Sequence, residues 1–285
     1  MELLNIIFTK DRPKVLFACL GSLEECTRVK IDKTIIFDDN SNGNTVNFLY
    51  NHSAERGWDL SLKRSSEGYA RNYFDAYQAI KKYNYDVVSI IESDYVFRNN
   101  YMEEVLSVFD ALPNCWVIKG FCHKEYYNRD KIIPWFKDET TKEFGSPLKS
   151  ADVLYNPFDL ETSEGKIQCM YGSHACGTIF INWKRIKEFV DIEKELDPII
   201  LKACKNNEYN MVINDGLISS GLAKLWDDKV NKDGDKNHSS GVVLISDYSL
   251  AAHLNSGGIN NDGLQEEGET SVTVNFPQDY KNFKR

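Results

Sequence analysis

Within its first hundred residues the chain alternates short apolar runs with stretches of helical spacing, and three of its four expected strands end in acidic or polar loops. Leu3 to Phe8 ends at Thr9-Lys10-Asp11-Arg12-Pro13, and Lys14 to Glu25 follows with helical spacing, Pro13 suiting a first helical turn. Thr34 to Phe37 ends at Asp38-Asp39-Asn40-Ser41-Asn42-Gly43, a strong loop signal. Leu60 to Arg64 is a weaker third strand, and Tyr69 to Tyr83 reads as a helix. Asp86 to Ile91, rich in β-branched residues, runs into Glu92-Ser93-Asp94. Strands and helices in this alternation imply βαβ units and an α/β fold with a mostly parallel, Rossmann-like sheet. Such sheets bind ligands at the carboxyl ends of their strands. Here those ends carry Asp11, Asp38, Asp39, Glu92 and Asp94, which suits a cation or a polyhydroxylated ligand.

The second half is less regular. Strands are expected at Trp116 to Phe121, Gly177 to Ile181 and Val242 to Ile245, and helices at Trp183 to Glu195 and Val212 to Leu225. Residues 123–168 are polar and aromatic with little periodicity and read as an insertion or long loops; 227–240 reads as a charged loop and 255–285 as a tail. With 285 residues, 42% of them hydrophobic, the chain can bury a sizeable core. No segment approaches the roughly 18 apolar residues that a membrane span needs. The first ten residues are too soon interrupted for a signal peptide, so the expected location is cytoplasmic. Cysteines 19, 26, 115, 122, 169, 176 and 204 form no CxxC pair, which argues against a disulfide framework or a structural zinc site and for buried thiols. A net charge of −9 does not advertise a nucleic-acid partner.

In an extended strand, residues i and i+2 share a face, so Glu92 and Asp94 are expected to present their carboxylates together. Magnesium and manganese take such oxygen ligands, and the alternative is a solvated strand end. Arg71, at a helix start, suits a phosphate contact or a surface ion pair. Asp38 or Asp39 can accept a hydrogen bond from a base edge or cap a turn, and Asp11 and Arg12 carry the same two readings. Trp135, Trp183 and Trp226 can stack on a sugar or pack in the core, the core being the better reading.

Taken in order, four motifs resemble the GT-A glycosyltransferases, in particular their family-two group, over residues 3–225. Thr9 to Pro13 looks like that group's first nucleotide-binding loop, and Asp38 to Ser41 like its uridine-contacting acidic loop. Gly68-Tyr69-Ala70-Arg71-Asn72 looks like its glycine-to-arginine-asparagine element, and Glu92-Ser93-Asp94 like its DxD metal motif with Glu in first place. The resemblance implies a metal-dependent transfer of a sugar from a nucleotide-diphosphate sugar, UDP-linked, to a hydroxyl, with Mn²⁺ or Mg²⁺ as cofactor. It implies donor contacts from Thr9, Asp11, Arg12, Asp38, Asp39, Gly68, Arg71, Glu92 and Ser93. Asp94, with Glu92 and the late His253, would hold the metal. Asp215, in Asn214-Asp215-Gly216, falls where inverting members carry the general base; as a helix cap it has a second reading. His174, Gly177 and Asn214 would lie on the acceptor side. Residues 1–285 would form one such domain, 1–121 its donor half and 122–285 its acceptor half and tail.

The acceptor is expected to be a saccharide or a hydroxymethylated or glycosylated base in DNA. A sugar nucleotidyltransferase would also use a nucleotide-binding sheet and acidic metal ligands, but it calls for a glycine cluster after the first strand, and Thr9 to Pro13 has none. A non-catalytic sugar- or nucleotide-binding protein would not need Glu92, Asp94 and Asp215 together.

Overall fold

A computed structural model describes residues 1–11, 13–66, 69–119, 158–171, 178–205, 217–230, 242–245 and 251–253. The first half runs β1 (Leu3–Thr9), α1 (Pro13–Glu25), β2 (Lys33–Asp38), α2 (Gly43–Arg56), β3 (Asp59–Leu62), α3 (Tyr69–Tyr83), β4 (Val87–Glu92), β5 (Tyr95–Phe97), α4 (Tyr101–Ala111) and β6 (Val117–Lys119). The second contributes β7 (Phe158–Thr162), β8 (Gly165–Tyr171), β9 (Ile179–Asn182), α5 (Trp183–Phe189), a π turn (Ile192–Leu196), α6 (Asp197–Lys205), α7 (Leu217–Lys229), β10 (Val242–Ile245) and β11 (Ala251–His253).

Among the described residues, nine strands form one sheet in the order β3-β2-β1-β4-β9-β6-β10-β8-β7. β3, β2, β1 and β4 are mutually parallel, and β8 and β9 run against the others. The sheet is therefore mostly parallel and flanked by helices, as expected. A separate two-stranded ribbon joins β5 to β11.

The alternation of side chains sorts the apolar residues onto two faces. Leu3, Ile7, Val87 and Ile91 join Leu16, Leu20 and Leu23 of α1 and Tyr101, Val105 and Val108 of α4 in one core. Leu4, Ile6, Val88 and Ile90 join Tyr73, Tyr77 and Ile80 of α3 and Trp183, Ile186, Ile218 and Leu222 in the other. β1 and β4 are buried along their whole length, which is why they read as uninterrupted apolar runs. Trp183 and Trp226 are core residues, at 1% and 5% exposure, so neither is available to stack on a sugar.

Three expectations need correction. The hairpin of β7 and β8, residues 158–171, begins within the stretch 123–168 read as irregular and runs three residues past it. The helix from Trp183 stops at Phe189; Asp191 then caps Lys194 N–H at 3.2 Å and starts the π turn. The helix beginning at Leu217 reaches Lys229, into the expected charged loop. No described helix is long and apolar enough to cross a membrane. Cys19, Cys26, Cys115 and Cys169 are buried and form no disulfide.

Candidate functional site

The register brings the expected loops to one edge. Thr9 pairs with Asp38 and Phe8 with Glu92, so the ends of β2 and β4 flank the end of β1. Backbone bonds extend the pairing one residue further: Asp39 N–H donates to Thr9 O at 2.9 Å and Ser93 N–H to Phe8 O at 3.0 Å. Thr9 is 3% exposed at the middle of this edge, and its hydroxyl has no hydrogen-bond partner among the described residues.

The first two loops are cross-bonded. Both oxygens of Asp38 accept from Ser41, one from its N–H at 3.0 Å and the other from its hydroxyl. Ser41 Oγ in turn accepts from Asp11 N–H at 2.6 Å, and Asp11 Oδ1 accepts from Asn42 N–H at 2.7 Å. Asp11 and Asn40 hold left-handed backbone, at φ 52° and 65°, a conformation that needs support from its surroundings. Burial pushes the Asp38 carboxyl above its ordinary range, the charges of Asp11 and Asp39 add to this, and the Ser41 bonds oppose it. Asp38 and Asp11 thus spend hydrogen-bonding capacity on loop construction.

Asp39, 5% exposed, is tied to a third loop. Ser66 Oγ donates to Asp39 Oδ2 at 2.6 Å, and Lys10 Nζ donates to Ser66 Oγ at 3.0 Å. Just after β3, Lys63 donates to Asn72 Oδ1 at 2.6 Å and pairs with Asp75 at 3.1 Å. Arg71 shares Asp75, at 3.0 Å, with its side chain 55% exposed. Arg71 thus forms a surface ion pair, one of the two contacts expected of it.

Glu92 is the last residue of β4, and the chain turns through Ser93 and Asp94 before β5. The simple strand alternation expected for the two acids therefore does not apply. Glu92 accepts from Tyr73 of α3 at 3.3 Å. Asp94 lies close enough to Cys19 of α1 to join burial in pushing that thiol far up. All three residues of the turn are buried, at 9%, 8% and 5% exposure. The ribbon pairs His253 with Tyr95, so the backbone of His253 stands beside the residue that follows Asp94. Among the described residues, no group of three or more His, Cys, Asp or Glu side chains could hold a metal ion; the side chain of His253 is not among those described.

Thr9, Asp11, Asp38, Asp39, Glu92, Ser93 and Asp94 thus gather at one edge, with Arg71 at the start of the neighbouring α3. Arg12, Gly68, Trp135, His174, Gly177, Asn214 and Asp215 lie outside the described residues. Sequence reasoning missed Lys10, Ser41, Lys63, Ser66 and Tyr73, which touch the site acids or their neighbours. A serine three residues after an aspartate is a turn signal that pointed to Ser41 alone.

The geometry defines an α/β protein in which the acidic loops after β1, β2 and β4 meet at one edge of the sheet. No family model matches the chain, and no curated protein matches it. Among solved structures it is similar to the mannosyltransferase PcManGT from Pyrobaculum calidifontis, in complex with GDP-Man and Mn²⁺: TM-score 0.37, 13% identity, over 43% of this chain and 36% of that one. It is also similar to S. aureus TarS, with TM-score 0.36 and 15% identity over 48% of this chain and 24% of that one. For TarS 1-349 in complex with UDP-GlcNAc the values are 0.37 and 16%, over 48% and 39%. The matches span between a quarter and two fifths of those chains.

Proposed function

We propose that the chain is a glycosyltransferase that moves a sugar from a nucleoside-diphosphate sugar, with uridine as the nucleoside, to a hydroxyl acceptor. The observation that carries this reading is the convergence on one edge of a buried, unsatisfied Thr9 hydroxyl, the Asp39 carboxylate and the Glu92-Ser93-Asp94 turn. Thr9 would bind the nucleoside end of the donor and Asp39 its base. Arg71 would exchange Asp75 for a phosphate. Residues 1–121 form the donor half, and 122–285 the acceptor half within a single domain.

The donor set fits a hard dication. Glu92 and Asp94 supply carboxylate oxygens, and the pairing of β11 with β5 supports His253 as a third ligand. Bound there, Mg²⁺ or Mn²⁺ supplies neutralisation of the charge that builds on the departing diphosphate. Asp94 is the principal ligand in this reading, and Tyr73 holds the Glu92 carboxylate in place. In this reading Asp215 would take the proton of the acceptor hydroxyl as its oxygen bonds the anomeric carbon from the face opposite the diphosphate, whose bond to that carbon breaks, so that the sugar is inverted. The acceptor is a saccharide, or a hydroxymethylated or glycosylated base in DNA.

Calorimetry with UDP, TDP, GDP and ADP, with and without Mn²⁺, tests the reading. UDP or TDP binds best, EDTA weakens binding, and Asp94→Ala removes both the metal dependence and transfer while the protein stays folded. Full transfer in EDTA, or a clear preference for a purine diphosphate, defeats the corresponding assignment.

A further inference from the structure

Asp39 receives the base in the reading just given, and the present inference rests on that reading. Yet Asp39 is only 5% exposed, and its Oδ2 accepts from Ser66 Oγ at 2.6 Å. Ser66 is held in turn by Lys10 Nζ at 3.0 Å. The three residues belong to three loops, those following β1, β2 and β3, so the chain of bonds crosses the edge where a nucleoside would lie.

Asp38 offers the contrast. It is held by Ser41 from its own loop, and breaking those bonds would undo the loop. Asp39 accepts instead from a residue of another loop, the exposed Ser66. Arg64, Ser65 and Ser66 are exposed, whereas Lys63 beside them is anchored by Asn72 and Asp75 of α3. Displacing Ser66 therefore leaves Lys63 and the sheet in place. A base N–H can then take over the bond to Asp39, and Lys10, released from Ser66, is free to face the diphosphate.

We propose that Lys10 and Ser66 form a strap that occupies Asp39 in the donor-free protein, and that a nucleoside diphosphate must displace the strap to bind. Ser66 is then a determinant of donor affinity with an unusual sign: its hydroxyl competes with the ligand. Binding gives up one charge-assisted hydrogen bond, and a ligand's apparent affinity is reduced by whatever holds its site in another state.

The test is calorimetry on the full chain, using whichever of UDP, TDP, GDP and ADP binds the wild type most tightly. Ser66→Ala should bind it about tenfold more tightly, the low end for a hydrogen bond to a charged group, since the Ser66 hydroxyl is exposed. Ser66→Thr, which keeps the hydroxyl, should bind at wild-type affinity. A Ser66→Ala protein that binds as the wild type does, or more weakly, overturns the strap, as does equal tightening by Ser66→Thr. Those outcomes leave the donor site standing. A wild type that binds none of the four diphosphates refutes the donor-site reading, and the strap with it.

Discussion

Ser41→Ala isolates the junction of the first two loops. The substitution removes the hydroxyl that donates to Asp38 Oδ1 and accepts from Asp11 N–H at 2.6 Å, while Ser41 N–H still reaches Asp38 Oδ2 at 3.0 Å. Asp38 is 1% exposed, so water cannot readily replace the lost donor. A buried group left unsatisfied costs about 1–3 kcal/mol, and a charged one lies toward the upper end. Asp11 N–H is less buried and adds less. A total of about 2–3 kcal/mol corresponds to a melting temperature lower by roughly 4–12 °C for a chain of this size. The loss should depend on pH. Burial raises the Asp38 carboxyl above 3.8 in the folded state, so its contribution to stability is fully present below 3.8 and is lost as pH rises through the folded value. Ser41 offsets part of that loss by bonding the ionised form. The substitution therefore costs most at neutral pH, where Asp38 is charged, and less near pH ~4, where it is partly protonated. Urea denaturation of both proteins at the two pH values measures this. An equal loss at both, or a neutral-pH loss below about 1 kcal/mol, would refute the account of Asp38 as a loop-building carboxylate.

Two further outcomes follow from the same geometry. Arg71→Ala removes a half-exposed partner of Asp75 and should change stability by less than about 0.5 kcal/mol, while UDP affinity falls about tenfold through loss of a phosphate contact. Denaturation and calorimetry on that protein would assign Arg71 to structure alone if affinity were unchanged. Burial pushes Cys26 and Cys169 up to about 12 and Cys19 further still, so all three are thiols rather than reactive thiolates at neutral pH. Iodoacetamide, followed peptide by peptide in a mass spectrometer, should label them at least about tenfold more slowly in the folded protein than in urea.

The elements that the sequence revealed are those in which one physical signal dominates. β1 and β4 are buried on both faces and show as apolar runs, and α3 begins and ends at Tyr69 and Tyr83 as its spacing indicates. α2 escaped notice because Asn44, Asn47, Asn51, His52 and Ser53 dilute its apolar stripe. Its ends were nevertheless marked, by Asn42 capping Asn44 N–H and Thr45 N–H and by Gly57 in left-handed backbone at φ 66°. β5 has three residues, too few for any periodicity. β7 alternates Phe158, Asp159, Leu160 and Glu161, and a period of two was there to be read. The pairing of His253 with Tyr95 joins residues from opposite parts of the chain, and no local signal encodes it.

Acidic residues at strand ends were legible as a group; their division of labour was not. Five aspartates and glutamates reach the edge, and composition treats them alike. What separates them is where their hydrogen bonds come from. Asp38 is satisfied by Ser41 from its own loop, and Asp11 and Ser41 lock that loop to its neighbour. A ligand that drew on these carboxylates would have to dismantle the platform on which it sits. Asp39 accepts from Ser66 and Glu92 from Tyr73, both on other elements. A carboxylate with an exchangeable partner can serve a ligand, whereas one consumed by its own loop serves the fold. The adjacent residues Asp38 and Asp39 are thus bonded differently despite identical chemistry, Asp38 to Ser41 of its own loop and Asp39 to Ser66 of another.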